Sequence, residues 1–238
     1  MAIADDLTSE ITTILDTAWD VRDGTVIPDT DSIKLKDGAV KIDATFLYAD
    51  LAGSSKLAQA CPWETTAKII RAYLNCATRL IKHYGGEIRS FDGDRVMGVF
   101  ICNRKNTNAV RCALALNWTV SQVINPKAKE KYASIRNNSI EIQHCVGIDT
   151  GESRAVRAGI RNNNDLIWIG RPPSFAAKLS DIREYPYSTF ISDVVYKTML
   201  DEVIYVSETD KTNMWYSGKT TFANSTESIC KSAYYWKP

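Results

Sequence analysis

The stretch Ala44–Lys56, ATFLYADLAGSSK, constrains the fold more than any other. Thr45, Phe46, Leu47 and Tyr48 are β-formers in an uncharged run, which suits a buried central strand. Asp50 ends that strand, and Leu51-Ala52-Gly53-Ser54-Ser55 turns away from it. A buried strand that delivers a carboxylate and then opens into small residues is one way to build a polyphosphate and metal site. Backbone N–H groups in such a loop reach phosphate oxygens because Gly and Ser do not obstruct them. The carboxylate can hold the Mg²⁺ or Mn²⁺ that travels with phosphates. Asp is also a preferred N-cap, so on this stretch alone Asp50 can equally start the next helix.

A second stretch, Gly85–Phe100, reads GGEIRSFDGDRVMGVF. Glu87–Phe91 and Asp94–Phe100 have strand character, and Asp92-Gly93 between them is suited to a type I′ hairpin turn. Asp94 is then the first residue after the turn. If the hairpin lies beside the first strand, Asp50 and Asp94 can share metal ions; otherwise Asp92 and Asp94 supply turn chemistry only.

With both stretches in view, the chain resembles the class III nucleotidyl cyclases. DLAGSSKLA and GGEIRSFDGDRVMGVF are similar to the family's two metal-binding signatures. HCVGIDTGE (144–152) is similar to its G-[IL]-x-x-G-[ED] strand, and IGRPPSFAAKLSDI (169–182) to its G-x-x-V-N-x-A-[AS]-R-L helix. The four motifs stand in family order over roughly Ile42–Ile204.

Composition limits the alternatives. The chain has 238 residues, 45% of them hydrophobic, which suits one large domain with extensions. Its 29 basic and 28 acidic residues leave a net charge of +1, with no basic run, so a nucleic-acid partner is not expected. The six cysteines form no CxxC pair, and His83 and His144 are the only histidines, so a zinc site is not expected. Scattered thiols suit a reducing cytoplasm. No signal peptide and no membrane span are expected, because no apolar run is long enough.

Periodicity predicts the remaining elements. An amphipathic helix is expected over Asp6–Val21, a long helix over Trp63–Tyr84 and another over Thr107–Ile124, ended by Asn125-Pro126. A charged loop follows to Asn138, then a strand over Ile140–Ile148 in which His144 faces the core. Ala155–Gly159 and Leu166–Ile169 read as paired strands around a polar turn at Arg161–Asp165. A helix is expected over Pro172–Ile182, a strand over Thr189–Ile191, a short helix capped by Ser192-Asp193, and a core strand over Val203–Val206. Met214–Tyr216 and Ala233–Trp236 have β character. The expected organisation is an N-terminal helix and linker (1–40), a catalytic domain (41–206) and a C-terminal β extension (207–238). The order of elements implies an α+β sandwich around a mostly antiparallel central sheet flanked by helices. The resemblance adds a ferredoxin-like core and a homodimer with active sites between subunits.

The resemblance implies cyclisation of a nucleoside triphosphate with two Mn²⁺ or Mg²⁺ ions per site. Asp50, Asp94 and the Leu51 carbonyl match the family's metal ligands, and Ala52, Gly53, Ser54 and Ser55 lie in the loop that receives its phosphates. The helix Asn and Arg that orient ribose and stabilise the transition state in the family align with Ser174 and Lys178. Its base-reading Lys and the partner of that Lys align with Ser90 and Ile167, so the usual purine contacts are missing. In exchange, Tyr48 shares a strand face with Asp50, and Arg95 follows Asp94. Each also has a plain reading, Tyr48 as a core aromatic and Arg95 as a solvated hairpin residue. Lys219, in a C-terminal GKT, is read as an exposed lysine rather than a phosphate ligand.

A smaller pocket with Tyr and Arg resembles the pyrimidine cyclases of bacterial anti-phage systems, which signal to a separate effector. Arg donates hydrogen bonds and cannot accept them, which suits uracil O4 better than a cytosine amino group. UTP is therefore the expected substrate. The alternatives are CTP, then a purine triphosphate, then a silent cyclase-like dimerisation or nucleotide-sensing module.

Overall fold

The computed structural model describes residues 2–238. In chain order its helices and strands are α1 (Ile3–Asp16), β1 (Asp20–Asp23), β2 (Gly38–Ala52), α2 (Ser54–Ala60), α3 (Trp63–His83), β3 (Glu87–Asp92), β4 (Arg95–Phe100), α4 (Lys105–Thr119), α5 (Asn125–Lys131), α6 (Ala133–Asn137), β5 (Gln143–Ile160), β6 (Asn163–Ile169), α7 (Arg171–Ser180), β7 (Thr189–Ser192), α8 (Asp193–Thr198), β8 (Tyr216–Phe222) and β9 (Ser225–Ser232). Two compact units divide the chain. One takes the N-terminal residues to Asp43 with Glu152–Gly170, the other Ala44–Gly151 with Arg171–Pro238.

In the first unit, the expected helix over Asp6–Val21 is shorter. It stops at Asp16, and Asp20–Asp23 instead pair in parallel with Gly38–Lys41. β-branched Val21 is better served by that ladder than by a helix end. α1 buries none of its side chains; its apolar stripe of Leu7, Ile11 and Ile14 stays exposed. Arg154–Ile160 of β5 pair antiparallel with β6, the expected strand pair, and Ala155, Ile33 and Val40 form a small core there.

The second unit holds a sheet in the order β3-β4-β2-β5-β7-β9-β8. β5 and β7 run parallel, while β2/β4, β3/β4, β7/β9 and β8/β9 are antiparallel, so the sheet is mostly antiparallel as expected. Leu47, Ala49 and Leu51 alternate along β2 into a core shared with Ile69 and Tyr73 of α3 and Leu114 and Leu116 of α4. Their burial sets the register of β2. Period two then turns Tyr48, Asp50 and Ala52 to the opposite face.

Several expectations are corrected. Pro126 does not end the helical run: α4 passes through a π turn at Val120–Ile124 into α5, where Pro126 occupies the first turn and needs no N–H partner. The charged loop before Asn138 is therefore largely α5 and α6. The expected strands at Ile140–Ile148 and Ala155–Gly159 fall in one strand, β5, that starts at Gln143. Val203–Val206 forms no strand; Val203 ends a 3₁₀ turn and is wholly buried. The Thr/Ser-rich tail holds the hairpin β8/β9, turned by Ala223-Asn224, both at positive φ. No Gly marks that turn, so the sequence signal for it is weak.

His144 lies on β5, 6% exposed, with its ring 6.1 Å from that of Tyr73 and its Nε2 without a hydrogen-bond partner. Burial pushes its pKa down to about 3. The folded state therefore refuses a proton that the unfolded chain accepts below its ordinary value of 6.5. Stability is full above that value and falls between pH 6.5 and about 3, with a slope approaching about 1.4 kcal/mol per pH unit. His144→Gln is expected to flatten this limb in urea melts taken from pH 7 to pH 4. An unchanged limb would assign the acid sensitivity to other groups.

Candidate active site

The Asp92-Gly93 turn expected from sequence is shifted by one residue. Asp92 faces Arg95 across the ladder, so the turn residues are Gly93 and Asp94. Only Gly93 has positive φ, at 60°, which fits a type II′ turn rather than type I′. Asp94 is thus in the turn itself. β4 in turn pairs with β2, placing Arg95 opposite Asp50. This register puts Asp94, the residue before Arg95, near enough to Asp50 for its charge to help push the Asp50 carboxyl up.

Asp50 is not a helix cap. Gly53 takes that position at φ 74°, and no side chain caps α2. A Cβ at Gly53 would meet nothing within 4 Å, so the glycine serves the left-handed backbone rather than close packing. The small-residue loop expected after Asp50 is shorter than read: Ser54 and Ser55 already stand in the first turn of α2, whose N–H groups lack intrahelical partners.

Asp50 instead accepts a hydrogen bond from Nη2 of Arg183. Burial raises the Asp50 pKa most, Arg183 opposes that, and Asp94 adds to it. Arg95 reaches Asp181 at 3.2 Å and Asp92 at 3.0 Å, and its guanidinium lies 5.7 Å from the centre of the Tyr48 ring. Tyr48 and Arg95 therefore stand together beside Asp50, and Arg95 is no freely solvated hairpin residue. Burial pushes the Tyr48 phenol up, so its hydroxyl keeps its proton. Asp50, Arg183, Asp181 and Arg95 alternate in charge around one end of β2.

Asp181 and Arg183 escape the sequence reading. They lie just past α7, in a segment whose only signal is the alternation Asp181-Ile182-Arg183-Glu184. Ser174 and Lys178 share an exposed face of α7 one turn apart. Among the described residues neither makes a hydrogen bond or ion pair with Asp50 or Asp94. Ser90 follows a bulge in β3, Ile167 on β6 is 44% exposed, and Lys219 is exposed on β8.

The carboxylate pair fits a divalent cation. Oδ2 of Asp94 is buried and has no hydrogen-bond partner, and the strand-end carbonyl of Leu51 adjoins Asp50. Such oxygen donors suit Mg²⁺ or Mn²⁺. Among the described residues no three or more His, Cys, Asp or Glu cluster as a metal site, so the two carboxylates and the backbone carbonyl make up the donor set here; all six cysteines are free. A cavity of about 270 Å³, lined by Ala52, Asn125, His144, Arg183, Tyr187 and Ser188 among others, adjoins this end of β2 without including either carboxylate in its lining. Among the described residues, no helix is long and apolar enough to cross a membrane.

Comparison with known proteins adds the family. No protein-family model matches the chain. It is 41% identical over 245 residues to a uridylate cyclase of Rhodovulum sp. (strain MB263), covering 100% of this chain and 99% of that one. It is 39% identical over 217 residues to a uridylate cyclase of Burkholderia cepacia, covering 90% and 91% of the two chains. The crystal structure of the adenylyl cyclase CyaB from P. aeruginosa superposes with a TM-score of 0.66 at 22% identity, over 82% of this chain and 95% of that one. That likeness bears on the fold.

Proposed function

We propose a substrate and a reaction course for this chain on one premise: it belongs to the uridylate cyclase family of nucleotidyl cyclases. The substrate is UTP, and the products are 3′,5′-cyclic UMP and pyrophosphate. The observation that carries this reading is the approach of the Arg95 guanidinium to the Tyr48 ring beside Asp50, where a purine reader would need room and different donors. Two Mg²⁺ or Mn²⁺ ions held by Asp50, Asp94 and the Leu51 carbonyl would lower the pKa of the attacking 3′-hydroxyl and neutralise the leaving pyrophosphate. The chain's own groups do the positioning. N–H groups of Ala52, Gly53, Ser54 and Ser55 receive the β- and γ-phosphates. Arg95, held by Asp92 and Asp181, donates to uracil O4, and the Tyr48 hydroxyl narrows the base pocket.

Lys178 and Ser174, exposed on α7, serve the carboxylates of a second copy, so the working unit is a homodimer with sites between protomers. Lys178 brings charge to the transition state and Ser174 a hydroxyl to the ribose. The cyclic nucleotide acts as a second messenger in anti-phage defence, read by a separate effector protein. Incubation with each of the four ribonucleoside triphosphates and Mn²⁺, followed by chromatography, is expected to give cyclic UMP as the main product. Cyclic CMP as the main product would move the assignment to cytidine. Cyclic AMP or GMP would reject the pyrimidine reading.

A further inference from the structure

We infer that Arg183 is a displaceable counter-ion: it neutralises Asp50 while no metal is bound and transfers to the substrate's polyphosphate when a divalent cation takes that carboxylate. The inference rests on the cyclase reading above. Its starting observation is an asymmetry. Asp50 is committed to Arg183, whereas Oδ2 of Asp94 is buried without a partner.

Arg183 is built to change partners. Its Nη1 donates to the carbonyl oxygens of Ser180, at 2.7 Å, and Ile182, at 3.0 Å, so one edge of the guanidinium is tethered to the end of α7. The other edge, Nη2, holds Asp50. Its side chain is 43% exposed and lines the 270 Å³ cavity, so a swing about the tether has open space. Arg95 differs: two carboxylates and the Tyr48 ring keep it in place.

The driving force is electrostatic. A divalent cation on Asp50 offers the carboxylate more charge than a guanidinium does, and it repels the guanidinium. The triphosphate brought by that cation supplies new anionic oxygens in the fork geometry that arginine fits. Arg183 thereby lowers metal affinity in the absence of nucleotide, since only the unpaired fraction of Asp50 can bind metal. It raises nucleotide affinity once metal is present, so the two bind together.

The test is Mn²⁺ titration of nucleotide-free protein by calorimetry, alongside steady-state kinetics with UTP. Arg183→Gln is expected to bind Mn²⁺ about three- to tenfold more tightly than the natural protein, the scale of a partly exposed ion pair. In saturating Mn²⁺ its KM for UTP is expected to rise about tenfold while kcat moves less than about threefold. Arg183→Lys keeps the charge and is expected to return both values partway. A merely structural arginine would leave metal affinity unchanged or weaken it. Mn²⁺ binding no tighter in the Gln variant, or an unaltered KM, overturns the inference. The titration contains no nucleotide, so it reads the exchange even if the natural protein forms no product from UTP. That second outcome would instead overturn the proposed substrate.

Discussion

Asp94→Asn is expected to lose nucleotide cyclisation by about 10³-fold or more, with any triphosphate, while its melting temperature stays level or rises. Asn keeps the shape of the side chain and removes the charge. The natural carboxylate stands in a hairpin turn with Oδ2 buried and unpaired, so no hydrogen bond is lost when it becomes an amide. Its charge also helps hold the Asp50 carboxyl above its ordinary pKa, so removing it relieves a repulsion. Asp50→Asn is expected to lose activity equally and to melt close to the natural protein, because relief from burying the charge offsets loss of the pair with Arg183. That pair is partly exposed, so its loss is worth at most about 1 kcal/mol. Product chromatography and thermal melts on the two variants separate a metal ligand from a structural carboxylate. If Asp94→Asn keeps more than a tenth of its activity, the paired-carboxylate site is wrong.

Gly147→Ala is the substitution with the largest expected effect on stability. A Cβ there would stand 2.1 Å from the Ala176 carbonyl oxygen, 2.4 Å from the Ser180 nitrogen and 2.7 Å from the Leu179 Cβ. The backbone of α7 therefore lies directly on β5, and only a missing side chain permits it. Backbone cannot rotate aside as a flexible side chain can, so α7 must shift or the strand must bend. A cost of about 2–4 kcal/mol is expected, which for a chain of this size lowers Tm by roughly 5–15 °C. α7 also presents Lys178 and leads into Asp181 and Arg183. Activity is therefore expected to fall at temperatures where the variant is still folded. A variant that melts within 2 °C of the natural protein would show that α7 can move away at little cost.

The features legible in sequence are those carried by neighbours in the chain. The uncharged run before Asp50, the two strands of the hairpin ending at Phe100 and the apolar spacing of α3 are legible because period two and helical period are local; the hairpin's turn is one residue off because Asp-Gly marks a turn without fixing its register. The errors arose where a local signal was outvoted. Pro126 reads as a stop, yet a π turn passes helical structure through it. Val21 extends a helical stripe, yet a parallel ladder with Gly38–Lys41 claims it. The Thr/Ser-rich tail lacks a glycine turn, yet it forms two strands because β7 offers an edge to pair with.

By itself the sequence determined the two acidic stretches, the small residues after Asp50 and the unusual Tyr48 and Arg95. Only the tertiary structure decided who faces whom. The pair of Arg183 with Asp50 spans 133 residues and that of Arg95 with Asp181 spans 86. Spacing in the chain carries no information about such pairs. They form because buried Leu47, Ala49 and Leu51 set the register of β2, and because Gly147 lets α7 lie against the sheet. Close packing of apolar groups, not attraction between the charges, brings those four side chains to one end of a strand.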